Sequence, residues 1–144
     1  MTFSKLNSIV SLVTSHRSRA SAINISATIL LNAIGDVDDF NDDKKLAAYL
    51  GIVPRVYVSN EMSHYGRITK MGNKIARTAI VQSTLISIRY SPYLRGFYLK
   101  LKAKKGSGKA IIATSRKLLT IVYRTLKNNW VFEDFSSFKL AVSI

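Results

Sequence analysis

The feature that most constrains this chain is the stretch from Gly51 to Arg77, where a helical pattern stops and later resumes. About twenty residues inside it lack the apolar spacing that marks one face of a helix. Connections of that length in a compact chain are uncommon and are usually either functional or disordered. The stretch contains aromatic and β-branched residues, which argue against disorder. We therefore predict one long irregular loop, held between helices, whose tip is available for chemistry.

The rest of the chain carries helical patterns, so the predicted fold class is all-α, mainly helical, in one domain. The predicted helices are, in order, Phe3–Ser15, a helix from Ser21 or Ser26 to Ile34, Asp42–Leu50 with Asn41 or Asp42 as its cap, a helix capped by Asn73 that runs to Arg89, a helix starting at Ser91-Pro92, and Lys109–Asn128. Ile75 and Ile80 are expected on the apolar side of the helix after Asn73. The basic run Lys102–Lys109 is expected to be a flexible connector.

The distribution of charge favours a polyanionic partner. The net charge is +14, and five of the eight acidic residues lie between Asp36 and Asp43. No acidic residue occurs between Met62 and Phe132, whereas Lys and Arg recur throughout that segment. So one-sided a surface repels itself unless a polyanion neutralises it. We predict nucleic acid as the partner, with an anionic membrane surface or a solubilising surface as alternatives.

Several other classes of protein do not fit the sequence. The apolar runs are shorter than the roughly 18 residues that a membrane-spanning helix needs, so we predict no transmembrane helix. Among the possible partners we favour DNA and expect no membrane. The start of the chain lacks a clean signal-peptide cleavage site. With no cysteine, the chain has no disulfide framework and no thiolate metal site. We expect a cytoplasmic protein.

Two ion-binding motifs can be tested against the spacing and rejected. A calcium loop that started at Asp36 would need glycine sixth and glutamate twelfth, but Asn41 and Ala47 stand there. A phosphate loop ending at Gly108-Lys109 would need a glycine five residues earlier and Ser or Thr after the lysine. Ala103 and Ala110 occupy those positions.

The long loop contains one candidate nucleophile, Ser59, between Arg55 and Arg67. A serine that attacks a phosphate needs its proton removed and the developing charge stabilised. Arginines can bind non-bridging phosphate oxygens bidentately, and His64 could act as a base. By residue type alone, the interpretation of Ser59 and His64 as ordinary surface residues is the favoured one.

Several blocks of the chain follow a known family pattern in the same order. These blocks are Gly35-Asp36, Leu46-Ala47-Ala48-Tyr49, Gly51-Ile52-Val53-Pro54, Ser59, Gly66-Arg67-Ile68-Thr69-Lys70, Gly72-Asn73, Arg77, Arg95-Gly96-Phe97-Tyr98 and Arg116-Lys117-Leu118-Leu119. Together they resemble the C-terminal domain of the insertion-sequence 110 family of transposases, from about Ala22 to Lys127. The resemblance implies an RNA-guided DNA recombinase that moves an insertion element.

The resemblance also implies roles for individual residues. Ser59 matches the family's serine nucleophile. The residues expected to bind DNA are Arg55, Arg67, Lys70, Lys74, Arg77, Arg116 and Lys117. Expected partners are DNA and a guide RNA, with a homo-oligomer or a partner domain needed for activity. No cofactor is expected in this chain, because the resemblance assigns magnesium to a resolvase-like N-terminal domain with four acidic ligands.

The chain departs from the family pattern at three points. Asn60 follows the serine where the family has glycine, and Ser21-Ala22-Ile23-Asn24 lies where a helix-hairpin-helix turn has Gly-x-Gly. The resolvase-like domain is also missing, so we expect a truncated transposase. The predicted organisation is an N-terminal helix and lead-in at 1–20, the transposase C-terminal domain at 21–128, and an apolar tail at 129–144. Two interpretations stay open: a domain catalytic with a partner, or a nucleic-acid-binding module with an inactive serine.

Overall fold

The structure, a computed structural model, describes residues 20–59 and 62–128. The helices are α1 (Ala20–Ile34), α2 (Asp43–Tyr49), α3 (Lys74–Tyr90), α4 (Pro92–Lys105) and α5 (Ser107–Asn128), with a 3-10 turn at Val37–Asp39 between α1 and α2. The mainly helical fold class is therefore confirmed. The predicted helix Phe3–Ser15 and the apolar tail lie outside the described residues.

The segment predicted to be an irregular loop contains a β-hairpin, and that part of the prediction is wrong. Strand β1 (Pro54–Ser59) pairs antiparallel with β2 (Met62–Ile68). The register shifts between Pro54 and Val56, which marks a β-bulge near the base of the hairpin. β-Branched and aromatic residues such as Val56, Tyr57 and Val58 favour a strand. The pattern is short and not alternating, which is why periodicity alone did not reveal it.

Three helix starts have side-chain caps, and the sequence predicted those of α2 and α3. Asp42 Oδ1 accepts a hydrogen bond from the amide of Lys45 at 2.7 Å, and so caps α2. Asn73 Oδ1 caps α3 by accepting from two amides in its first turn, at 3.0 and 3.1 Å. Ser91 caps α4, with Pro92 at its first helical position. These caps satisfy amide donors that a helix leaves unpaired at its start.

Helix α5 is central and packs against α2, α3 and α4. The core joins Leu46, Leu50 and Ile52 to Leu119, and all four side chains are fully buried. Ile52 belongs to the segment between α2 and β1, so the hairpin starts from the core. The stretch that interrupts the helices is therefore anchored at its base.

The inward face of α3 includes Ile80, as predicted, but not Ile75. Ile75 is 66% exposed, whereas Ala76, Thr84 and Ser87 are buried. Thr84 Oγ1 donates to the carbonyl oxygen of Ile80 at 2.7 Å, so its hydroxyl keeps a partner inside the protein. Small residues let neighbouring helices approach closely, and this packing outweighs the hydrophobicity of Ile75.

The run Lys102–Lys109 is not a flexible connector. Helix α4 continues to Lys105, and α5 begins at Ser107 after the single residue Gly106. Lysine and alanine are good helix formers, so the run remains helical on both sides of the glycine. The four lysines and two glycines of this run are consequently held in a fixed arrangement by two long helices.

Candidate nucleic-acid interface

The base of the hairpin is tied to the segment after α2 by backbone hydrogen bonds. The amide of Thr69 donates to the carbonyl oxygen of Val53 at 2.9 Å, and that of Lys70 donates to Gly51 at 3.1 Å. These bonds continue the antiparallel pairing beyond the ends of the two strands. The hairpin is therefore fixed to the helical body at both of its ends.

Two glycines allow these segments to come close together. Gly51 has φ 70° and Gly72 has φ 112°, a left-handed region that residues with a side chain rarely adopt. A Cβ atom on Gly51 would lie 2.1 Å from the carbonyl oxygen of Met71. A Cβ on Gly72 would lie 2.0 Å from that of Tyr49. Both positions thus require glycine for conformation and for space.

Two arginines reinforce the same region with side-chain bonds. Arg77 is half-buried, and its Nη1 atom donates to the carbonyl oxygens of Leu50 at 3.2 Å and Lys70 at 3.1 Å. Arg55 Nη2 donates to the carbonyl oxygen of Thr69 at 3.3 Å. An arginine has five N–H donors, so both side chains could also contact a phosphate.

An open groove of about 1090 Å³ lies between the base of the hairpin and the junction of α4 with α5. We call it the basic groove. Among the described residues, its lining includes six cationic side chains and no carboxylate: Arg67, Lys70, Lys104, Lys105, Lys109 and Arg116. Its apolar lining includes Ile52, Ile68 and Ile112. A concave surface lined by one sign of charge concentrates ligands of the opposite sign.

Helix α5 presents one face and its N-terminus to this groove. Gly108, Ile112 and Arg116 are spaced four residues apart and therefore lie along one side of the helix. Gly108 belongs to the first turn of α5, where backbone amides carry partial positive charge. The helix therefore adds to the positive potential of the lysines.

The structure brings together three of the seven residues that the sequence analysis expected to bind DNA, namely Arg67, Lys70 and Arg116. Lys70 also has φ 54°, an unusual left-handed conformation for a residue with a side chain. Lys74 is exposed at the start of α3. Lys117 packs beside aromatic rings, with Nζ 5.2 Å from the ring centre of Tyr93 and 4.8 Å from that of Phe97.

Three groove residues, Lys104, Lys105 and Lys109, were not predicted from the sequence. They belong to the run that was interpreted as a flexible connector. A helical reading of that run, broken only at Gly106, would have placed them at one fixed junction. Their proximity to Arg67 and Lys70 depends on tertiary structure, because the two groups are more than thirty residues apart in the chain.

Ser59 is the last residue of β1, and the hairpin register places Met62 opposite it. His64 pairs with Tyr57 instead, two positions further from the hairpin turn. The backbone thus presents the predicted nucleophile at the tip of the hairpin. Its catalytic role, and the DNA contacts of the seven basic residues, remain predictions.

Three of the five aspartates between 36 and 43, namely Asp36, Asp42 and Asp43, accept hydrogen bonds within the protein. Asp36 Oδ1 accepts from the amide of Asp38 at 3.0 Å, and Asp43 Oδ2 accepts from the hydroxyl of Thr120 at 2.5 Å. Within 20–59 and 62–128, no group of three or more His, Cys, Asp or Glu side chains is arranged to hold a metal ion. These residues therefore do not fit a magnesium site, and we derive no step through that ion. None of the helices in the described segments is long and apolar enough to cross a bilayer.

The fold therefore defines a mainly helical domain that has a basic groove beside a short β-hairpin. Residues 22–99, more than half of the 144, match the Transposase IS116/IS110/IS902 family. The chain belongs to this family. The match includes the hairpin, α3 and the first part of α4, and so contains one wall of the basic groove.

Individual relatives agree with this assignment. The pilin gene-inverting protein of Moraxella bovis is 36% identical over 107 residues, which cover 72% of this chain and 33% of that protein. The transposase for insertion sequence element IS1111A of Coxiella burnetii is 26% identical over 106 residues, covering 71% of this chain and 29% of that protein. The chain therefore spans about a third of the length of these relatives.

Proposed function

We propose that this chain is a DNA-binding domain of a transposase and acts in DNA transposition and recombination. The observation that carries the proposal is the basic groove, whose lining, among the described residues, includes six cations and no carboxylate. Phosphate neutralisation by Lys and Arg supplies most of the affinity in sequence-independent DNA binding. Membership of the transposase family makes DNA the natural polyanion.

The proposed chemistry is attack by the Ser59 hydroxyl on a DNA phosphate. The serine oxygen would form a bond to phosphorus while the bond from phosphorus to one DNA oxygen breaks. In net terms, the serine proton passes to that leaving oxygen, so the phosphoserine linkage keeps a phosphodiester for rejoining strands. Arg55 in β1 and Arg67 in β2 lie nearer the base of the hairpin and would position the DNA backbone. Magnesium, a guide RNA and a second domain or copy would be supplied from outside the described residues.

A binding module with an inactive serine is the second candidate. It is favoured by the bonds of Arg55 and Arg77 to backbone carbonyls, because these explain both arginines without a phosphate. The two candidates share the basic groove and differ only at the tip of the hairpin. Binding and covalent linkage therefore have to be measured separately.

Binding is tested by fluorescence anisotropy with a labelled DNA duplex at several salt concentrations. If all six groove cations contact phosphates, the logarithm of the affinity should fall against the logarithm of salt with a slope of about −5. Replacing Lys104, Lys105 and Lys109 together by Ala should make the slope less steep by about 3. The matched control replaces Lys44, Lys45 and Lys100, which are exposed and lie outside the groove lining.

Equal losses in the groove variant and the control would show that net charge alone matters, and would reject the groove as the DNA site. Tight binding to anionic vesicles without affinity for DNA would favour a membrane surface instead. Covalent linkage is tested on denaturing gels, with the family's acidic domain supplied in trans. Ser59→Ala should abolish the linkage and Ser63→Ala should preserve it, whereas no linkage from the natural chain would favour the inactive-serine module.

A further inference from the structure

An exposed aromatic side chain stands at the rim of the basic groove. Tyr57, in β1, is 56% exposed, although tyrosine has a large apolar ring. Its Cε2 atom would lie 3.0 Å from a Cβ atom on Gly66, so the edge of the ring rests against the backbone of β2 at that glycine. Gly66 itself lines the groove. The ring is therefore adjacent to the surface that carries the six cations.

Gly66 allows the ring of Tyr57 to lie against the backbone of β2, because it has no side chain. Tyr57 pairs with His64, so Gly66 is its diagonal neighbour on the opposite strand, within reach of an aromatic side chain. Any larger residue at Gly66 would force the ring to move, because a Cβ there would be in tight contact with it. The structural alternative is that Tyr57 merely covers a strand glycine, a known stabilising arrangement.

From this juxtaposition we infer that Tyr57 is a stacking platform for an unpaired nucleotide base, whose backbone phosphates lie in the basic groove. The inference rests on the proposed nucleic-acid binding and deepens it, because it names the form of the ligand. Proteins that bind single strands combine a basic groove for the backbone with aromatic rings for the bases. In an intact duplex the faces of the bases are covered by their neighbours, so a ring at the rim gains little from it.

The position of Tyr57 also relates the stacked base to the predicted nucleophile. Tyr57 precedes Ser59 by two residues in the same strand, a separation of roughly 7 Å along the backbone. A base held at Tyr57 would therefore belong to a nucleotide near the phosphate presented to the hairpin tip. Unpairing next to the reacting phosphate would expose that base.

The test compares three labelled ligands of equal length: a single-stranded thymidine 20-mer, a uridine 20-mer, and a DNA duplex. Tyr57→Ala should weaken single-strand binding about 5- to 150-fold, the range given by one stacked base. The salt slope should not change, because tyrosine carries no charge that replaces a counterion. Duplex affinity should change less than about twofold. The DNA and RNA arms distinguish which unpaired strand the ring prefers.

Two further variants separate stacking from a structural role. Tyr57→Leu retains apolar cover for Gly66 but lacks an aromatic face, so it should lose single-strand affinity as Tyr57→Ala does. Tyr57→Phe should retain it. Val58→Ala, at the neighbouring position that is 74% exposed, is the matched control and should bind every ligand normally. A photoreactive 5-iodouracil in the DNA strand should crosslink to the peptide that contains Tyr57.

The inference is overturned if Tyr57→Leu binds the single strands as tightly as the natural chain. It is also overturned if Tyr57→Ala weakens single-strand and duplex binding equally, which would indicate a disturbed hairpin. Either result would leave the proposed function standing. Failure of the natural chain to bind any of the three ligands would instead reject the proposed function itself.

Discussion

The Nη1 atom of Arg77 donates a hydrogen bond to the carbonyl oxygen of Leu50 at 3.2 Å, across 27 residues of sequence. The same atom donates to Lys70 on the returning segment, so one guanidinium joins both sides of the hairpin base. Arg77 lies in the first turn of α3. Leu50 directly follows α2 and is fully buried. The position of the hairpin relative to the helical body thus depends on a residue whose sequence context predicts only a DNA contact.

Arg77→Ala is expected to lower the free energy of unfolding by about 2 kcal/mol or more, since hydrogen bonds from a charged donor each contribute roughly 1.5–3 kcal/mol. Arg77→Lys should recover only part of this, because an ammonium cannot reproduce the geometry of a guanidinium. Urea unfolding measures both changes. The control is Arg89→Ala, which removes an exposed arginine from the other end of α3. Equal stability of the two alanine variants would contradict this role.

Gly72→Ala is expected to cost roughly 3 kcal/mol or more, because it combines an unfavourable φ with a clash against the carbonyl oxygen of Tyr49. Gly96→Ala is the matched control, since Gly96 lies inside α4 and a Cβ there meets no atom within 4 Å. It should stabilise the chain by about 0.5–1 kcal/mol. The melting temperatures of the two variants should therefore shift in opposite directions from that of the natural chain.

Lys70 is expected to lower the stability of the fold through its left-handed backbone and to favour DNA binding through its charge. Its left-handed backbone is tolerated better by Asn or Gly than by Ala. Lys70→Asn and Lys70→Gly should therefore be more stable than Lys70→Ala by about 1 kcal/mol. All three should weaken DNA binding alike, because each removes the same groove cation. Unequal binding among the three would show that the backbone conformation, and not the charge, serves the ligand.

Arg116 and Lys117 are adjacent in α5 but are expected to act differently. Arg116→Ala should reduce the steepness of the salt dependence by about 0.9 with little effect on stability, because its exposed side chain lines the groove. Lys117→Ala should lower the free energy of unfolding by about 1 kcal/mol, through lost contact with Tyr93 and Phe97. Anisotropy and urea unfolding, applied to both variants, check this division. The reverse pattern would place Lys117 in the DNA site.

Local sequence signals predicted much of the fold. Asp42 and Asn73 were recognisable as cap residues because a short polar side chain at a helix start can satisfy only nearby amides. The start of α4 followed from Pro92, whose fixed φ suits a first helical position. Such signals act within one helical turn, which is why they survive in the folded protein.

The hairpin and the inward face of α3 were not predictable in the same way. A strand exists only if a partner strand completes its hydrogen bonds, and β1 finds that partner in β2. Whether Ile75 or Thr84 faces the core depends on which helices lie alongside. Both outcomes depend on segments that are distant in sequence, and a local sequence pattern does not identify them.

By itself, the sequence determined the mainly helical class, the family, and the excess of positive charge after Met62. These properties are sums over residues or short-range patterns, and so need no knowledge of distant contacts. Only the tertiary structure decided which cations share a surface. Lys104 and Lys109 line the same groove as Arg67 and Lys70 because α5 packs into the core that also anchors the hairpin. Electrostatic concentration of a polyanion depends on that proximity in space, which composition does not specify.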